Sequence, residues 1–180
     1  HSAITAMQAP NEVRLHTVGK PVPGVEAKID ENGEILLRSE GVFNGYFNKP
    51  EATAEALTDG WLRTGDAGYL EENGQLVVLG RVSEVMHTAG GERYVPNYIE
   101  NRLKFSPYIK DAAVVGAGRD ELTAMICVDF EAVGHWAEVN GVPYVSYSDL
   151  SQRDEVAALI RPAFERVNKA VTEPLHLKRF

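Results

Sequence analysis

The residues best suited to chemistry lie in two short motifs, Thr64-Gly65-Asp66 and Gly80-Arg81. An ionised aspartate only accepts hydrogen bonds and can hold two neighbouring hydroxyl groups at once, whereas an arginine guanidinium only donates. Each motif alone is a weak indication, because small polar triplets usually form turns whose aspartate bonds a backbone amide. Arg81 would then make a surface ion pair worth under about 1 kcal/mol. The meaning of both motifs therefore depends on the segments around them.

A second candidate is the turn at Gly90-Gly91. Glycine lets a backbone approach a ligand closely, and it also supplies the positive φ of a tight hairpin. The residues alone leave both uses open, and both can hold together. His87 and His135 have no cluster of acidic residues or cysteines at metal-ligand spacing, which argues against a zinc site. The single cysteine, Cys127, lies in an apolar run and is expected to be a buried structural thiol.

Composition narrows the class of protein. The 180 residues carry a formal net charge of -8, which argues against a nucleic-acid-binding surface because phosphate binding relies on clustered Lys and Arg. One cysteine cannot form an internal disulfide, so we expect a cytoplasmic protein, with peripheral membrane association of the intact protein as the alternative. We expect no transmembrane segment, because no apolar run reaches roughly 20 residues. We expect no signal peptide, because the opening residues 1–5 do not show a basic region followed by an apolar one. The chain opens at His1 rather than Met, so we expect a piece of a longer protein.

Local patterns predict an α+β fold. Two Asn-Gly turns, at residues 32–33 and 73–74, each separate two β-prone runs and predict hairpins. Other runs predict strands at residues 109–115 and 122–130, and helices at residues 50–57, 95–104, 131–140 and 154–171. We therefore expect a small distorted β-barrel or β-sandwich over residues 1–82, followed by an α+β domain over residues 83–180.

The motifs of the chain follow one another in a characteristic order. They are Gly33-Glu34-Ile35, Gly45-Tyr46, Gly60-Trp61-Leu62-Arg63-Thr64-Gly65-Asp66, Asn73-Gly74, Gly80-Arg81, Gly90-Gly91 and Ile99-Glu100. This order and spacing resembles the adenylate-forming superfamily, which includes acyl-CoA synthetases, peptide-synthetase adenylation domains and luciferases. The resemblance covers nearly the whole chain, and the combination of motifs is highly specific.

The resemblance implies a role for each candidate. In that family the aspartate of the Thr-Gly-Asp motif accepts hydrogen bonds from both ribose hydroxyls of ATP, and the arginine of the Gly-Arg motif also contacts the nucleotide; these are Asp66 and Arg81 here. The family's hinge, usually Asp or Lys, is Ser83 here, a departure that a hinge tolerates because it needs only a backbone able to change conformation. The loop with Gly90 and Gly91 resembles the one that faces the active site in the thioester-forming state, where a close backbone approach would suit the pantetheine of CoA.

Within the superfamily the chain resembles the long-chain fatty acyl-CoA synthetases. Residues 85–92 and 99–109 resemble the corresponding segments of that group, and residues 130–150 look like its extended small domain. The pattern Arg-Gly-x-Arg-Ile-Glu-x-Gly-Glu, usual in peptide-synthetase adenylation domains, is absent. The resemblance implies a parent that makes an acyl-AMP from a fatty acid and ATP with Mg²⁺, and then transfers the acyl group to CoA.

The resemblance also implies that this chain lacks the catalytic residues. The family's phosphate-binding loop, acyl tunnel and magnesium-binding glutamate precede the region matched here, and its catalytic lysine lies beyond Phe180. We therefore expect the chain alone to be inactive and to bind nucleotide weakly. Two alternatives stay open: a free-standing binding or interaction module that reuses the small domain, and a ligase for an aryl or medium-chain acid. Apolar surface left uncovered in this chain would favour a homodimer.

Overall fold

The chain folds into two compact units that divide between Glu84 and Val85. The computed structural model describes residues 5–14 and 16–180. Residues 1–4, on which the expected chain start falls, and residue 15 lie outside the described residues. Over the described ranges, no helix combines the length and the apolar composition that crossing a bilayer requires.

The first unit is built on an antiparallel sheet. Its elements are β1 (Ala6–Met7), β2 (Lys20–Pro21), β3 (Val25–Ile29), β4 (Glu34–Ser39), α1 (Pro50–Ala56), β5 (Leu57–Thr58), β6 (Trp61–Leu70) and β7 (Leu76–Arg81). The strand order is β3-β4-β6-β5, and β7 also pairs with β6. The long strand β6 therefore joins three neighbours, and its register shifts against both β4 and β7.

Both predicted hairpins of the first unit are confirmed. β3 pairs with β4, and β6 pairs with β7, each across an Asn-Gly turn. Alternate residues of these strands point inward, so the core is formed by Ile35, Leu37 and Leu76, with partly buried residues of β3 packed against them. The predicted helix at residues 50–57 is α1.

The second unit places helices against a three-stranded sheet. Its elements are β8 (Met86–His87), β9 (Arg93–Tyr94), α2 (Pro96–Leu103), β10 (Ile109–Val115), β11 (Leu122–Val128), α3 (Phe130–Val139), α4 (Tyr147–Ser151), α5 (Asp154–Ala170) and β12 (Leu177–Arg179). The strand order is β10-β11-β12; β10 is antiparallel and β12 parallel to β11. The predicted α+β class is confirmed.

The helices of the second unit form where the sequence predicts them, with one addition. The apolar face of α5 is buried against α2 and the sheet, in a core that includes Leu103 and Leu122. Asp129 caps the amino terminus of α3, and its carboxylate accepts a hydrogen bond from the amide of Ala132 at 2.9 Å. The sequence analysis does not predict the short helix α4, which is capped by Ser146, whose hydroxyl accepts a hydrogen bond from the amide of Asp149.

Cys127 contradicts the prediction of a buried thiol, because it is exposed. Along β11, Ala124 and Val128 face the buried side, whereas Met125 and Cys127 face solvent. Helices α2 and α5 contribute to the core on one side of the sheet, so an apolar run does not bury every residue of the strand. The Cys127 sulfur lies 3.3 Å from the hydroxyl of Tyr147.

Candidate functional site

Asp66 and Arg81, the two residues predicted to meet a nucleotide, lie side by side. They are cross-strand partners on β6 and β7. Nη1 of Arg81 lies 3.1 Å from Oδ1 of Asp66, and the two side chains are 63% and 38% exposed. The structure therefore brings together a carboxylate and a guanidinium at the surface of the first unit, where both remain accessible to a ligand.

A bulge in β6 sets the position of Asp66. Arg63 pairs with Leu36 of β4 and Ala67 pairs with Glu34, so three residues of β6 stand opposite Ile35 alone. The three extra-register residues are the Thr64-Gly65-Asp66 motif. Gly65 sits in the bulge at φ +73°, a left-handed conformation that a residue with a side chain rarely adopts. The motif therefore inserts two more residues into β6 than β4 has at this point, which interrupts the regular ladder.

Hydrogen bonds hold this bulge from the side of β4. The hydroxyl of Thr64 donates to the carbonyl of Ile35 at 2.7 Å and accepts from the amide of Asp66 at 3.1 Å. The amide of Gly65 donates to Oε1 of Glu34 at 2.9 Å. From the side of β7, Nη1 of Arg81 donates to the carbonyl of Thr64 at 3.4 Å. Each residue of the motif thus has a bond that fixes it.

Glu34 and Arg63 form an ion pair directly behind the bulge. Nε and Nη2 of Arg63 donate to Oε2 of Glu34 at 2.9 and 2.5 Å, and the Glu34 side chain is 4% exposed. The hydrogen bond to Glu34 raises the pKa of the Arg63 guanidinium above its ordinary value. The sequence showed both residues only as parts of motifs. The one signal of a special role was a glutamate inside the β-prone run of β4.

A cleft of about 630 Å³ opens beside the bulge in the first unit. Its wall includes Thr64 and Gly65 on one side and Ala52 and Ala56 of α1 on another. Asp66 and Arg81 do not line it. The cleft therefore adjoins the turn that carries the candidate site without containing the two candidate side chains.

Ser83, the candidate hinge residue, is exposed in a single 3₁₀ turn, Val82–Glu84. This turn directly follows β7 and ends at the division between the two units. The carboxylate of Glu84 accepts a hydrogen bond from the amide of Arg81 at 3.2 Å. Ser83 itself therefore lies in a short connecting segment next to one of the two nucleotide candidates.

Gly90 and Gly91 lie at the tip of the β8–β9 hairpin. The amide of Thr88 donates to the carbonyl of Glu92 at 3.0 Å, and the amide of Gly91 donates to the carbonyl of Thr88 at 3.1 Å. Gly91 has φ +87°, and a Cβ on Gly90 would lie 2.6 Å from Oε2 of Glu92. The hairpin by itself thus favours glycine at position 91, whereas a side chain at position 90 would displace the Glu92 carboxylate. The geometry of the turn explains why glycines occur here, and it says nothing about a ligand.

The carboxylate of Glu92 folds back over this tip. It accepts a hydrogen bond from the hydroxyl of Thr88, a contact that lowers the pKa of Glu92 below its ordinary value of 4.5. The hairpin is also tied to the loop after β10, because the amide of Ala89 donates to the carbonyl of Arg119 at 2.9 Å. The exposed glycines are therefore presented on a fixed turn.

Neither histidine that the sequence raised lies in a metal-binding cluster. Across residues 5–14 and 16–180, no group of three or more His, Cys, Asp or Glu side chains is arranged to hold a metal ion. His87 is exposed on β8, and His135 lies on the exposed side of α3.

The fold of the chain is that of adenylate-forming enzymes. It resembles the anthranilate CoA ligase AuaEII in complex with anthranoyl-AMP, with a TM-score of 0.62, 23% identity, and coverage of 98% of this chain and 33% of that one. It also resembles O-succinylbenzoate coenzyme A synthetase (MenE) from Bacillus subtilis in complex with ATP and magnesium ion. There the TM-score is 0.56 at 25% identity, covering 93% of this chain and 32% of that one.

The family is shown by the second unit. The model of the AMP-binding enzyme C-terminal domain matches residues 83–179, and the chain belongs to this family. A relative is the long-chain-fatty-acid–CoA ligase FadD15 of Mycobacterium tuberculosis, 39% identical over 94% of this chain and 28% of the relative. Another is the long-chain-fatty-acid–CoA ligase ACSBG1 of Mus musculus, 32% identical over 97% of this chain and 28% of the relative. The chain thus spans less than a third of the length of these relatives.

Proposed function

We propose that this chain is the carboxyl-terminal part of an ATP-dependent long-chain fatty acid–CoA ligase. The parent enzyme would join a fatty acid to ATP as an acyl-AMP, release pyrophosphate, and transfer the acyl group to CoA. The observation that carries the proposal is the Asp66–Arg81 pair, held on a bulged turn immediately before residues 83–179. The similarity to long-chain-fatty-acid–CoA ligases supports the choice of substrate.

Asp66 and Arg81 fit the ribose side of a nucleotide. An ionised carboxylate has about four lone-pair positions, so Asp66 can accept two ribose hydroxyls while Oδ1 stays 3.1 Å from Arg81. Arg81 balances the charge of Asp66 and offers further donors to the nucleotide. ATP supplies the phosphoanhydride whose cleavage makes AMP the leaving group of the acyl-AMP. In that reaction this chain would bind and orient the nucleotide.

The CoA side of the proposal concerns the β8–β9 hairpin. Gly90 and Gly91 are exposed at its tip and carry no side chain, so a ligand could approach the backbone closely. We assign them to contact with the pantetheine of CoA. Ser83, exposed in the connecting turn Val82–Glu84, would be the residue about which the small domain rotates. The domain boundary proposed for the parent lies between residues 82 and 83.

The remaining catalytic groups are assigned to other parts of the parent. The resemblance to adenylate-forming enzymes assigns Mg²⁺ to a glutamate in a segment before this chain. It assigns the catalytic lysine to a segment after Phe180. Residues of this chain would then hold the ribose and carry the hinge, and the chain alone would not adenylate a fatty acid. We also propose a cytoplasmic location, supported by the free thiol of Cys127.

The test is ATP–pyrophosphate exchange by the full-length protein that contains this chain, with palmitate, octanoate and benzoate as the acids. We expect exchange with palmitate, no exchange by the 180-residue chain alone, and loss of about 100-fold in kcat/KM for ATP in Asp66→Asn. Preference for octanoate or benzoate would replace the long-chain assignment. Absence of exchange with every acid would favour a binding module, and exchange by the chain alone would refute the assignment of catalytic groups elsewhere.

We further propose that the isolated chain self-associates. Phe47, Phe105 and Val145 are 90%, 81% and 92% exposed, and exposed apolar surface favours association where it is contiguous. Light scattering should show a dimer whose population rises with concentration. A monomer at the highest concentration reached would refute this proposal.

A further inference from the structure

Glu34 is the only charged residue that is buried within residues 5–14 and 16–180, and its side chain is 4% exposed. Moving a carboxylate out of water is costly unless charged or hydrogen-bonding partners replace the lost water. Each of its oxygens has such a partner. Oε2 accepts from Nε and Nη2 of Arg63 at 2.9 and 2.5 Å, and Oε1 accepts from the amide of Gly65 at 2.9 Å. The carboxylate is therefore held in one defined geometry.

The partners of Glu34 bracket the turn that carries Asp66. Arg63 directly precedes the bulge, and Gly65 lies in its middle at φ +73°. Ile35, the next residue of β4, accepts a hydrogen bond from the hydroxyl of Thr64 at 2.7 Å. Two successive residues of β4 thus hold three successive residues of β6. Because the chain direction after Gly65 determines where the next side chain points, these bonds set the direction of the Asp66 carboxylate.

We infer that Glu34 is a positioning residue of the nucleotide site, acting through the Gly65 amide and the Arg63 guanidinium on Asp66. Asp66 touches the ribose; Glu34, buried behind the bulge, does not. This role rests on the proposed function, whereas the effect of Glu34 on the shape of the turn is independent of any ligand. A Glu34–Arg63 pair that only joined β4 to β6 would change stability and leave nucleotide recognition unchanged.

The chain contains a matched control for this role. Glu26 of β3 accepts hydrogen bonds from Nε and Nη2 of Arg38 of β4 at 3.1 and 2.6 Å. The two pairs therefore have the same chemistry, and each joins neighbouring strands of the same sheet. The Glu26 side chain is 59% exposed, and its hydrogen bonds do not involve the bulge. Loss of Glu26 removes a glutamate–arginine pair without touching the turn.

The experiment compares Glu34→Ala, Glu34→Gln, Glu26→Gln and Asp66→Asn in the full-length protein, by steady-state kinetics in each substrate. We expect Glu34→Ala to raise KM for ATP about tenfold and to leave KM for the fatty acid and for CoA within about twofold, because only the ribose side is displaced. Glu34→Gln should recover part of the loss, since its amide oxygen still accepts from Gly65. Glu26→Gln should have the same KM for each substrate as the protein without a substitution.

A second measurement separates the effect of Glu34 on the shape of the turn from its effect on nucleotide binding. In the same proteins labelled with isotopic glycine, the Gly65 amide signal should move in Glu34→Ala and stay in place in Glu26→Gln, with no ligand present. If Asp66→Asn leaves KM for ATP unchanged, the proposed function fails, while the Gly65 signal still tests the turn. An unchanged KM for ATP in Glu34→Ala, together with a lower melting temperature, overturns the positioning role. If Glu34→Ala does not fold, Glu34→Gln, which keeps the shape of the side chain but loses the charge that pairs with Arg63, should still raise KM for ATP, by a smaller factor, and an unchanged KM would overturn the positioning role.

Discussion

Arg81 touches two points of the bulge that carries Asp66: its Nη1 lies 3.1 Å from Oδ1 of Asp66 and 3.4 Å from the carbonyl oxygen of Thr64. The guanidinium therefore spans the turn from the side of β7, while Glu34 holds it from the side of β4. One support is exposed and the other is buried. Substitution of the two should consequently affect stability and ligand binding in different proportions.

We predict that Arg81→Ala changes nucleotide recognition far more than stability. An exposed ion pair is worth about 0–1 kcal/mol, so the free energy of unfolding should fall by no more than that. The Asp66 carboxylate would lose its fixed partner, and kcat/KM for ATP in the full-length protein should fall about tenfold. Arg81→Lys keeps the positive charge but loses the planar, two-pronged guanidinium. Its kcat/KM for ATP should therefore lie between the values of the unsubstituted protein and Arg81→Ala. Chemical denaturation measures the free energy of unfolding, and steady-state kinetics measure kcat/KM for ATP. A large loss of stability with an unaltered kcat/KM would contradict the prediction.

The hydroxyl of Thr88 should control the ionisation of Glu92. It donates to the Glu92 carboxylate and is the largest cause of the lowered pKa of that residue. We predict that Thr88→Val, which keeps the shape of the side chain, raises the pKa of Glu92 toward 4.5. Gly90→Ala should do the same, because its Cβ would lie 2.6 Å from Oε2 of Glu92. A carbon-detected NMR titration of the Glu92 carboxylate measures both shifts.

The sign of the pH dependence follows from the lowered pKa. A carboxylate whose pKa is lower in the folded chain stabilises that state above its unfolded pKa, and the contribution is lost as the pH falls through the folded pKa. The difference in unfolding free energy between the unchanged chain and Thr88→Val should therefore be largest near neutral pH and shrink below about pH 4.5. Glu131→Gln, at an exposed position of α3, serves as the control. A difference that grows on acidification would show that Glu92 is not responsible.

Local patterns predicted the parts of the fold that local forces determine. The hairpins β3–β4 and β6–β7 and the buried face of α5 follow from turn residues and from spacing within one segment. Cys127 was misjudged because an apolar strand has two faces, and only contacts with distant helices decide which is covered. The five-residue helix α4 is too short to leave a periodic pattern.

The sequence likewise predicted some residues of the candidate site and not others. The motif identified Asp66 and Arg81 as a pair, and the structure brings them together. The role of Glu34 could not be derived from the sequence, because its partners Arg63 and Gly65 lie on another strand. A buried charge is recognised only when the residues that neutralise it are known. The register shift between β4 and β6, which creates the bulge, likewise arises from pairing between strands.

Glu100 is expected to stabilise the outer strand of the second sheet. From α2, its Oε1 accepts the amide hydrogen of Val114 on β10 at 2.8 Å. β10 lies at one edge of that sheet, so this bond satisfies an amide that pairs with no neighbouring strand. We predict that Glu100→Ala lowers the free energy of unfolding by about 1–3 kcal/mol and accelerates hydrogen exchange at Val114, because a partly buried amide loses its acceptor. Glu165→Ala, on the exposed face of α5, should change neither.

Asn168 should determine how firmly the last strand is attached. Its Oδ1 accepts the amide hydrogen of Leu177 at 2.8 Å, and its Nδ2 donates to the carbonyl of Leu177 at 3.2 Å, so α5 clamps both backbone groups of one β12 residue. Within the part of the chain that the structure describes, β12 also pairs with Leu122 and Thr123 of β11 alone.

We predict that Asn168→Leu lowers the free energy of unfolding by about 1–3 kcal/mol, as expected for two hydrogen bonds, and strongly increases hydrogen exchange at Leu177. Asn168→Asp keeps the acceptor for the Leu177 amide and loses only the donor. Its free energy of unfolding should therefore lie between those of the unsubstituted chain and Asn168→Leu. Asn140→Ala removes a comparable amide whose Nδ2 bonds within its own helix, at the carbonyl of Trp136, and should leave exchange at Leu177 unchanged. Unaltered protection of Leu177 in Asn168→Leu would mean that the packing of its buried side chain, not the clamp, retains β12.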